Sequence, residues 1–516
     1  LNSATVEPAE WRWVFILTGV LVIILLLPTL VAFAAAGAGF TFTGVMAAPG
    51  QGANYLAQMA QGQRGQWLLT APFTPEPHPG ITMVTFYLLL GHVARLLTVD
   101  PVLIYHAVRV FGTFIMGLAV YRFAALWTGD LTQRRLTWVL AMCGPGLGWV
   151  LAFDGQLRPG VIGLLETFPL RGAYLTAHLP WMVTALAAIA TIYLLSMFSW
   201  QNHPPELNPY SVALASAALV LASTVPHTFL PLLLAVGAAV TMRGGLPQYA
   251  SGWLLLPLVV ALPVMTYLMW AYTASDPVVA AWIRQSDPGM LPVPTLLLAA
   301  SPLLVLGGVG LWGGRHRFEA DDLFLSVWGL SALLLTALPI AHAYLFALGF
   351  TLPLGVLAAR GIKRVIAPKL STFWRAAALV ALFALLLPTN LAAVVVTRPP
   401  EALYLSDAEA AALQWSAENI PPTSVMLASP ELSVFIPRYG PHVVYAAMPT
   451  TPTTHQQSVY AYFSGADCSV VRQAGVDYML LGPRERALVA EEGCLPDDDP
   501  IYQTPDGSVR LYRLSP

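Results

Sequence analysis

The run WVFILTGVLVIILLLPTLVAFA, residues 13–34, contains no charged side chain. A helix needs ~20 such residues to cross the hydrocarbon core of a bilayer. Lipid offers no hydrogen bonds, so each backbone N–H and C=O there must be satisfied inside the protein, and an α-helix does this segment by segment. Runs of similar character recur at 81–98, 102–127, 136–153, 179–199, 210–225, 226–242, 252–273, 291–312, 322–339, 341–359 and 373–396. Of the 516 residues, 57% are hydrophobic and 10% charged, whereas soluble domains carry about 25% charged residues. The expected fold class is an α-helical polytopic membrane protein with about 11–13 transmembrane helices, solvated mainly by the lipid bilayer.

The first run is longer than the h-region of a signal peptide, and Ala34-Ala35-Ala36 leaves a cleavage site open. Charge is unevenly divided. Residues 401–516 hold 14 Asp/Glu and 6 Lys/Arg, a net of −8, while residues 1–400 hold 13 and 19, a net of +6. Long apolar runs also stop after Thr397. The chain therefore divides into a transmembrane domain, 1–400, and a soluble domain, 401–516. No basic tract suited to nucleic acid and no short repeat is present.

Arg360, Lys363, Arg364, Lys369 and Arg375 form a tract without an acid. Short loops this basic stay in the cytoplasm. The last helix then exits outward, so the expected location is the cell's inner membrane, multi-pass, with an extracytoplasmic C-terminal domain. Twelve clean crossings would put the N-terminus outside and the 35–80 loop inside, and an odd number reverses both. Arg134 and Arg135 favour the first count and Arg12 the second. Gly144-Pro145-Gly146, at the centre of 136–153, reads as a re-entrant hairpin bedded in protein, which restores the odd count.

The 35–80 loop has its own pattern. In NYLAQMAQGQRGQWLL, residues Tyr55, Leu56, Met59, Trp67 and Leu68 recur at roughly helical spacing between polar neighbours. Two readings stay open, an amphipathic helix in the membrane interface and a loop helix packed on protein. Beyond residue 403 the pattern becomes α/β. SDAE at 406–409 is a capping box opening a helix that runs to about Asn419. SVMLAS, HVVYAA and VDYMLLG are short strand-like runs, and PIYQTPDGSVRLYRL is a hairpin turning at Asp506-Gly507. Asp497-Asp498-Asp499 reads as a solvated turn, because adjacent acids point in different directions. Cys143 lies in an apolar run and packs there. Cys468 and Cys494 share the expected outer domain, where oxidation is permitted, and are a disulfide candidate pair.

Ionisable groups in or beside membrane helices are costly, so each is a functional candidate by default. Several have simpler uses. Arg95 with Asp100, and His106 beside Arg109, fit interfacial anchors, and His92 fits packing. Glu76, Glu166, Arg171 and His178 fall in long loops on the expected outer side. A cleft of carboxylates, histidines and arginines suits an anionic lipid headgroup and a polar acceptor. Glu76, His78 and Glu166 are the candidate catalytic groups, since a carboxylate or histidine acting as general base contributes about 10²–10⁴ in rate. Arg109, Arg171, His178, His227 and Arg284 are candidate substrate-binding residues, the arginines neutralising phosphate. No GxSxG, HExxH, Walker or Rossmann pattern occurs, and no nucleotide cofactor is expected.

This layout, together with YLAQM (55–59), GQW (65–67), FTPEPHPG (73–80), FYLLLGHVARLL (86–97) and GVDYMLLGP (475–483), resembles the GT-C superfamily of membrane glycosyltransferases. More narrowly, it is similar to a bacterial branch that is glycosyltransferase-family-39-like. The resemblance implies transfer of a sugar from a polyprenyl-phosphate-linked donor to an acceptor at the outer face. It also implies an acid early in the first outer loop, serving as base or as ligand of a divalent metal ion. Here the chain departs from the pattern. Gln51 stands near the expected acid, an amide cannot take up a proton at neutral pH, and Glu76 is the only carboxylate between 35 and 79. His342 likewise stands where an arginine is expected. A non-catalytic scaffold or assembly subunit, working with other membrane subunits of an envelope complex, is the alternative. A transporter is disfavoured by the lack of an inverted repeat.

Overall fold

The computed structural model describes residues 5–46, 49–81, 85–144, 146–153, 164–199, 216–219, 221, 224–242, 263–264, 266–267, 276–286, 289, 292–340, 342–395, 403–447, 454–469, 475–489 and 494–514. The expected runs 210–225 and 252–273 lie largely outside this set, as does Asp154. In chain order the principal elements begin with α1 (Pro8–Ala35), β1 (Phe40–Phe42), α2 (Pro49–Gln63), α3 (Thr85–Leu97) and α4 (Pro101–Ala125). Next come α5 (Leu131–Cys143), α6 (Gly148–Phe153), α7 (Pro169–Leu175), α8 (Leu179–Ser199), α9 (Phe229–Met242) and α10 (Pro277–Ser286). Then follow α11 (Val293–Gly314), α12 (Ala320–Leu334), α13 (Thr351–Gly361) and α14 (Thr372–Val395). The C-terminal part holds β2 (Tyr404–Ser406), α15 (Asp407–Asn419), β3 (Val425–Leu427), β4 (Val443–Val444), α16 (Thr454–Phe463), β5 (Tyr478–Leu481), β6 (Tyr502–Gln503) and β7 (Arg510–Arg513).

Among the described residues, five helical stretches are long and apolar enough to cross a membrane: Pro8–Ala35, Pro101–Ala125, Val293–Arg317, Ala320–Ala337 and Thr372–Asn390. The chain forms two compact units. One comprises Leu1–Leu25, Ala107–Tyr272 and Asp287–Val396, and the other Leu26–His106, Thr273–Ser286 and Thr397–Pro516.

In the first unit, ion pairs gather one set of helix ends. The Glu10 carboxylate accepts from the Tyr121 hydroxyl at 2.5 Å and from Arg134 Nη1 at 2.9 and 3.0 Å. Arg134 Nε donates to the Thr128 carbonyl at 2.9 Å. Lys363 pairs with Asp130, and Arg360 with Asp322. The start of α1, the end of α4, the starts of α5 and α12 and the end of α13 therefore share one end of the bundle. Arg134 and Arg135 lie at the same end as the basic tract.

Helices α11 and α13 meet backbone to backbone. A Cβ on Gly310 would lie 2.2 Å from the Leu357 carbonyl oxygen, and one on Gly361 would lie 2.2 Å from that of Leu306. Small residues permit this approach where no hydrophobic force drives helices together. The 136–153 stretch proves to be two helices, α5 and α6, separated by Gly144-Pro145-Gly146.

The second unit corrects the expected span at 81–98. Helix α3 has 13 residues and rises only about 20 Å, short of the ~30 Å hydrocarbon core. It lies tightly on α2, since a Cβ on Gly62 would sit 2.0 Å from the Leu88 oxygen and one on Gly91 2.0 Å from the Met59 oxygen. The apolar positions Leu56 and Met59 of α2 are buried, so that stripe faces protein. Trp67 and Leu68 are exposed, and Trp67 stacks on His92 with ring centroids 4.0 Å apart.

Strand β1 pairs antiparallel with β2 from the far end of the chain, with Phe40 opposite Ser406 and Phe42 opposite Tyr404. The main sheet has the order β4-β3-β5-β7-β6. Strands β4, β3 and β5 are parallel, and β7 runs antiparallel to both β5 and β6. Ser406 and Glu409 form the expected capping box of α15. Asp497, Asp498 and Asp499 are exposed. Cys468 and Cys494 are joined by a disulfide, with Cα atoms 5.2 Å apart.

Two outcomes are expected. Arg134→Met should destabilise the folded protein by about 3–5 kcal/mol, because it strands the Glu10 carboxylate in a buried site. Adding Glu10→Leu should recover most of that loss, as read from thermal unfolding in detergent. Reducing the disulfide, or replacing both cysteines by serine, should destabilise the C-terminal sheet region by about 3 kcal/mol. Comparing the thermal transition with and without reductant checks this.

Candidate functional site

The polar residues of the first unit that approach one another collect around the last turns of α14. Pro388 lies inside that helix. It has no N–H, so the helix loses the bond to the Ala384 carbonyl, and other carbonyls of the same stretch also accept from side chains. Trp149 Nε1 donates to the Leu385 carbonyl at 3.2 Å, and Arg171 Nη1 donates to that of Thr389 at 3.2 Å. The side chains of this turn also serve the break between α5 and α6. Thr389 Oγ1 donates to the Gly146 carbonyl at 2.6 Å and accepts from the Trp149 amide at 3.2 Å. Asn390 Nδ2 donates to the Cys143 carbonyl. Gly144 takes φ +58, a left-handed conformation that glycine adopts without steric cost.

Glu166 precedes α7 and is 7% exposed. Burial pushes its carboxyl up to about 7, against the opposing pull of the Arg171 guanidinium. Gly172 lets α7 pass beneath it, since a Cβ there would lie 2.7 Å from the Glu166 carbonyl oxygen. Glu166, Arg171 and Thr389 thus form one connected set.

Arg109 is buried in α4, and its Nη1 donates to the Tyr174 carbonyl at 2.7 Å, at the end of α7. His178 stands between α7 and α8, where burial lowers it to about 4 and keeps the ring neutral at physiological pH. His227 belongs to the short turn Pro226–Thr228, with its ring edge-on to Phe346 at 5.2 Å. His342 adopts φ +59 ahead of the turn Ala343–Ala347. Arg284 falls within α10, and its side chain lies outside the described residues.

Glu76 belongs to the other unit and is exposed. It accepts from Thr74 Oγ1 at 2.6 Å. Both ring nitrogens of His78 engage backbone. The Ala71 amide donates to Nε2 at 2.8 Å, so the ring proton is on Nδ1, which donates to the Glu76 carbonyl at 3.0 Å. His78 therefore braces its own loop. Gln51 lies in the first turn of α2.

In open sheets, ligands bind beyond the carboxyl ends of parallel strands. Between β3 and β5 that crevice is closed by the buried Glu485, which accepts from the Ser429 amide at 2.8 Å and the Gly482 amide at 2.9 Å. Among the described residues, no group of three or more His, Cys, Asp or Glu could hold a metal ion. Sequence reasoning passed over Thr389 and Asn390. Their signal was Pro388-Thr389-Asn390, a proline followed by two polar residues inside an otherwise apolar run.

No protein-family model and no curated relative matches the sequence. Solved structures do. The oligosaccharyltransferase of Archaeoglobus fulgidus, tethered with an acceptor peptide containing the NVT sequon, is 14% identical with a TM-score of 0.55, covering 98% of this chain and 74% of its own. ArnT from Cupriavidus metallidurans, bound to undecaprenyl phosphate, is 13% identical with a TM-score of 0.52, covering 98% of both chains. The arabinofuranosyltransferase AftD from Mycobacteria is 14% identical with a TM-score of 0.54, and the match covers 99% of this chain but 42% of AftD. Identities this low speak for the fold alone, and on that level the three agree. The chain has the fold of the GT-C superfamily of membrane glycosyltransferases.

Proposed function

We propose that this protein is a glycosyltransferase moving a sugar from a polyprenyl-phosphate-linked donor to an acceptor at the outer face of the membrane. The observation that carries the reading is Glu166, a carboxyl 7% exposed at the start of the segment that fixes Arg171 on the Thr389 carbonyl; burial pushes that carboxyl up to about 7. A general base works best when its pKa lies near the operating pH. In the reaction, the Glu166 carboxylate takes the proton of an acceptor hydroxyl as its oxygen attacks the anomeric carbon of the donor sugar. The bond from that carbon to the phosphate oxygen breaks, and polyprenyl phosphate leaves with the electron pair. Arg171 and Arg109 neutralise the phosphate charge, and the neutral His178 supplies a hydrogen bond. That ArnT binds undecaprenyl phosphate supports this donor class.

Sidedness follows from charge. The basic end of the bundle is cytoplasmic by the positive-inside rule. Thr389 stands 17 residues beyond the start of α14, about 26 Å further along the helix, a separation that supports a site toward the opposite, outer leaflet. On this reading 1–400 is the transmembrane catalytic domain, and 401–516 is an extracytoplasmic α/β domain that helps to select the acceptor. The described donor set does not fit a divalent metal, and no step is assigned to one. Glu76, the lone carboxylate of the first loop, is the competing base. The scaffold reading draws on Gln51, which leaves the start of α2 without a carboxylate.

Transfer of labelled sugar from a panel of polyprenyl-phosphate donors tests the proposal. Glu166→Gln should lower the rate by about 10²–10⁴. Activity of the unmodified protein should rise with pH through a limb near 7, because the base works as a carboxylate. Arg171→Gln should move that limb to higher pH, since its charge favours the ionised form. If Glu76→Gln alone abolishes transfer, the base is Glu76. Failure of the unmodified protein over the whole panel would leave the scaffold.

A further inference from the structure

The end of the bundle remote from Glu166 carries more cations than its ion pairs use. Lys363 and Arg360 are matched by Asp130 and Asp322. Arg315, Arg317, Arg364, Lys369 and Arg375 remain, with His316 beside them, on the turn after α11, the end of α13 and the start of α14. Glu319 and Asp321 are the other acids on the adjoining segment, and Glu319 is engaged in the capping box that opens α12.

The arrangement is built by backbone contacts. The glycine interface described above sets the ends of α11 and α13 side by side, so that Arg364 Nη1 lies 3.9 Å from where a Cβ of Gly314 would stand. Arg315 stacks its guanidinium over Trp312 at 4.6 Å and donates to the Trp312 carbonyl at 3.1 Å. Arg375 donates through Nε to the carbonyls of Ala367 and Leu370 at 2.7 and 2.9 Å. Helix C-termini favour nearby cations, and loops retained in the cytoplasm are basic. Neither effect sets an arginine that follows α13 against the end of α11, as Arg364 is set against Gly314. Trp312, which carries the Arg315 guanidinium, is 68% exposed, and Phe373 and Trp374 at the start of α14 are 72% and 61% exposed. Exposed aromatic rings beside cations at a helix end match the headgroup layer, where ring bodies face acyl chains and cations face phosphate.

We infer that Arg315, Arg317 and Arg364 form a binding site for the headgroup of an anionic phospholipid, its acyl chains lying along the exposed Trp312 ring. The site is separate from the proposed catalytic groups and does not depend on their assignment. It binds bilayer lipid as a ligand and anchors this end of the bundle against the membrane surface.

The test uses the full-length protein in detergent, titrated with phosphatidylglycerol or with phosphatidylcholine of the same acyl chains, and native mass spectrometry to count bound lipid. Phosphatidylglycerol should bind at least about tenfold more tightly, since each basic residue near a membrane surface contributes about fivefold to anionic lipid binding. That preference should shrink as salt is raised, because exposed charges are screened. The variant R315Q/R317Q/R364Q should bind phosphatidylglycerol about a hundredfold more weakly, with phosphatidylcholine unchanged, while R513Q, in the C-terminal sheet, behaves as the parent. Equal binding of the two lipids, a preference insensitive to salt, or full retention by the triple variant would each overturn the site. Glycerol 3-phosphate binding as tightly as the intact lipid would also overturn it, by showing a site for free phosphate.

Discussion

A helix interrupted inside a bilayer must find its missing hydrogen bonds in protein, because lipid supplies none. The break between α5 and α6 is met in this way, and the last turns of α14 supply the partners. Thr389 and Asn390 bind the Gly146 and Cys143 carbonyls, and the α14 backbone receives Trp149 and Arg171 in return. Each kinked element thus completes the other. Because Arg171 is held by this exchange, the charge that moderates Glu166 has a fixed address. The candidate chemistry rests on the glycine-permitted turn at Gly144 and on Thr389 and Asn390 at least as much as on the ionisable groups themselves.

Much of the architecture was legible. Charge-free runs announced the bundle, and the change of composition after Thr397 announced a C-terminal sheet region, which shares a compact unit with residues 26–106. The capping box at Ser406 and the strand-like runs were read within a residue or two, because each depends on neighbours close in the chain. The errors are instructive. FYLLLGHVARLL has the apolar content of a spanning helix, but α3 is only 13 residues long and uses Gly91 to lie against Met59 of α2. Hydropathy reports that a residue avoids water and cannot tell protein from lipid. The pairing of β1 with β2 and the bonds made by Thr389 were hidden for another reason, since both join segments far apart in sequence. Glu76 attracted attention as the lone carboxylate of its loop, whereas Glu166 is set apart by burial, which a sequence does not display.

Charge is sorted along the bundle as well as between its parts. At one end, carboxylates meet arginine and lysine in tight pairs, and a surplus of cations remains. At the other, few ionisable groups are present and their surroundings shift them far from their solution behaviour. The contrast is physical. Glu10 and Arg134 are buried as a bonded pair and hold each other's charge, whereas Glu166 and His178 are driven toward their neutral forms by burial.

The β1–β2 pairing has a consequence for how the chain is made. Thr41 hydrogen-bonds Asp407 across 366 residues. At ribosomal speeds of about 5–20 residues per second, the first loop waits roughly 20–70 s for its partner strand. During that interval every intervening helix must be inserted while the edge of β1 stays unpaired. The pairing joins segments whose synthesis is separated by that of every helix between them. A truncation that removes β2 would therefore be felt at the first loop, where β1 would lose its partner strand.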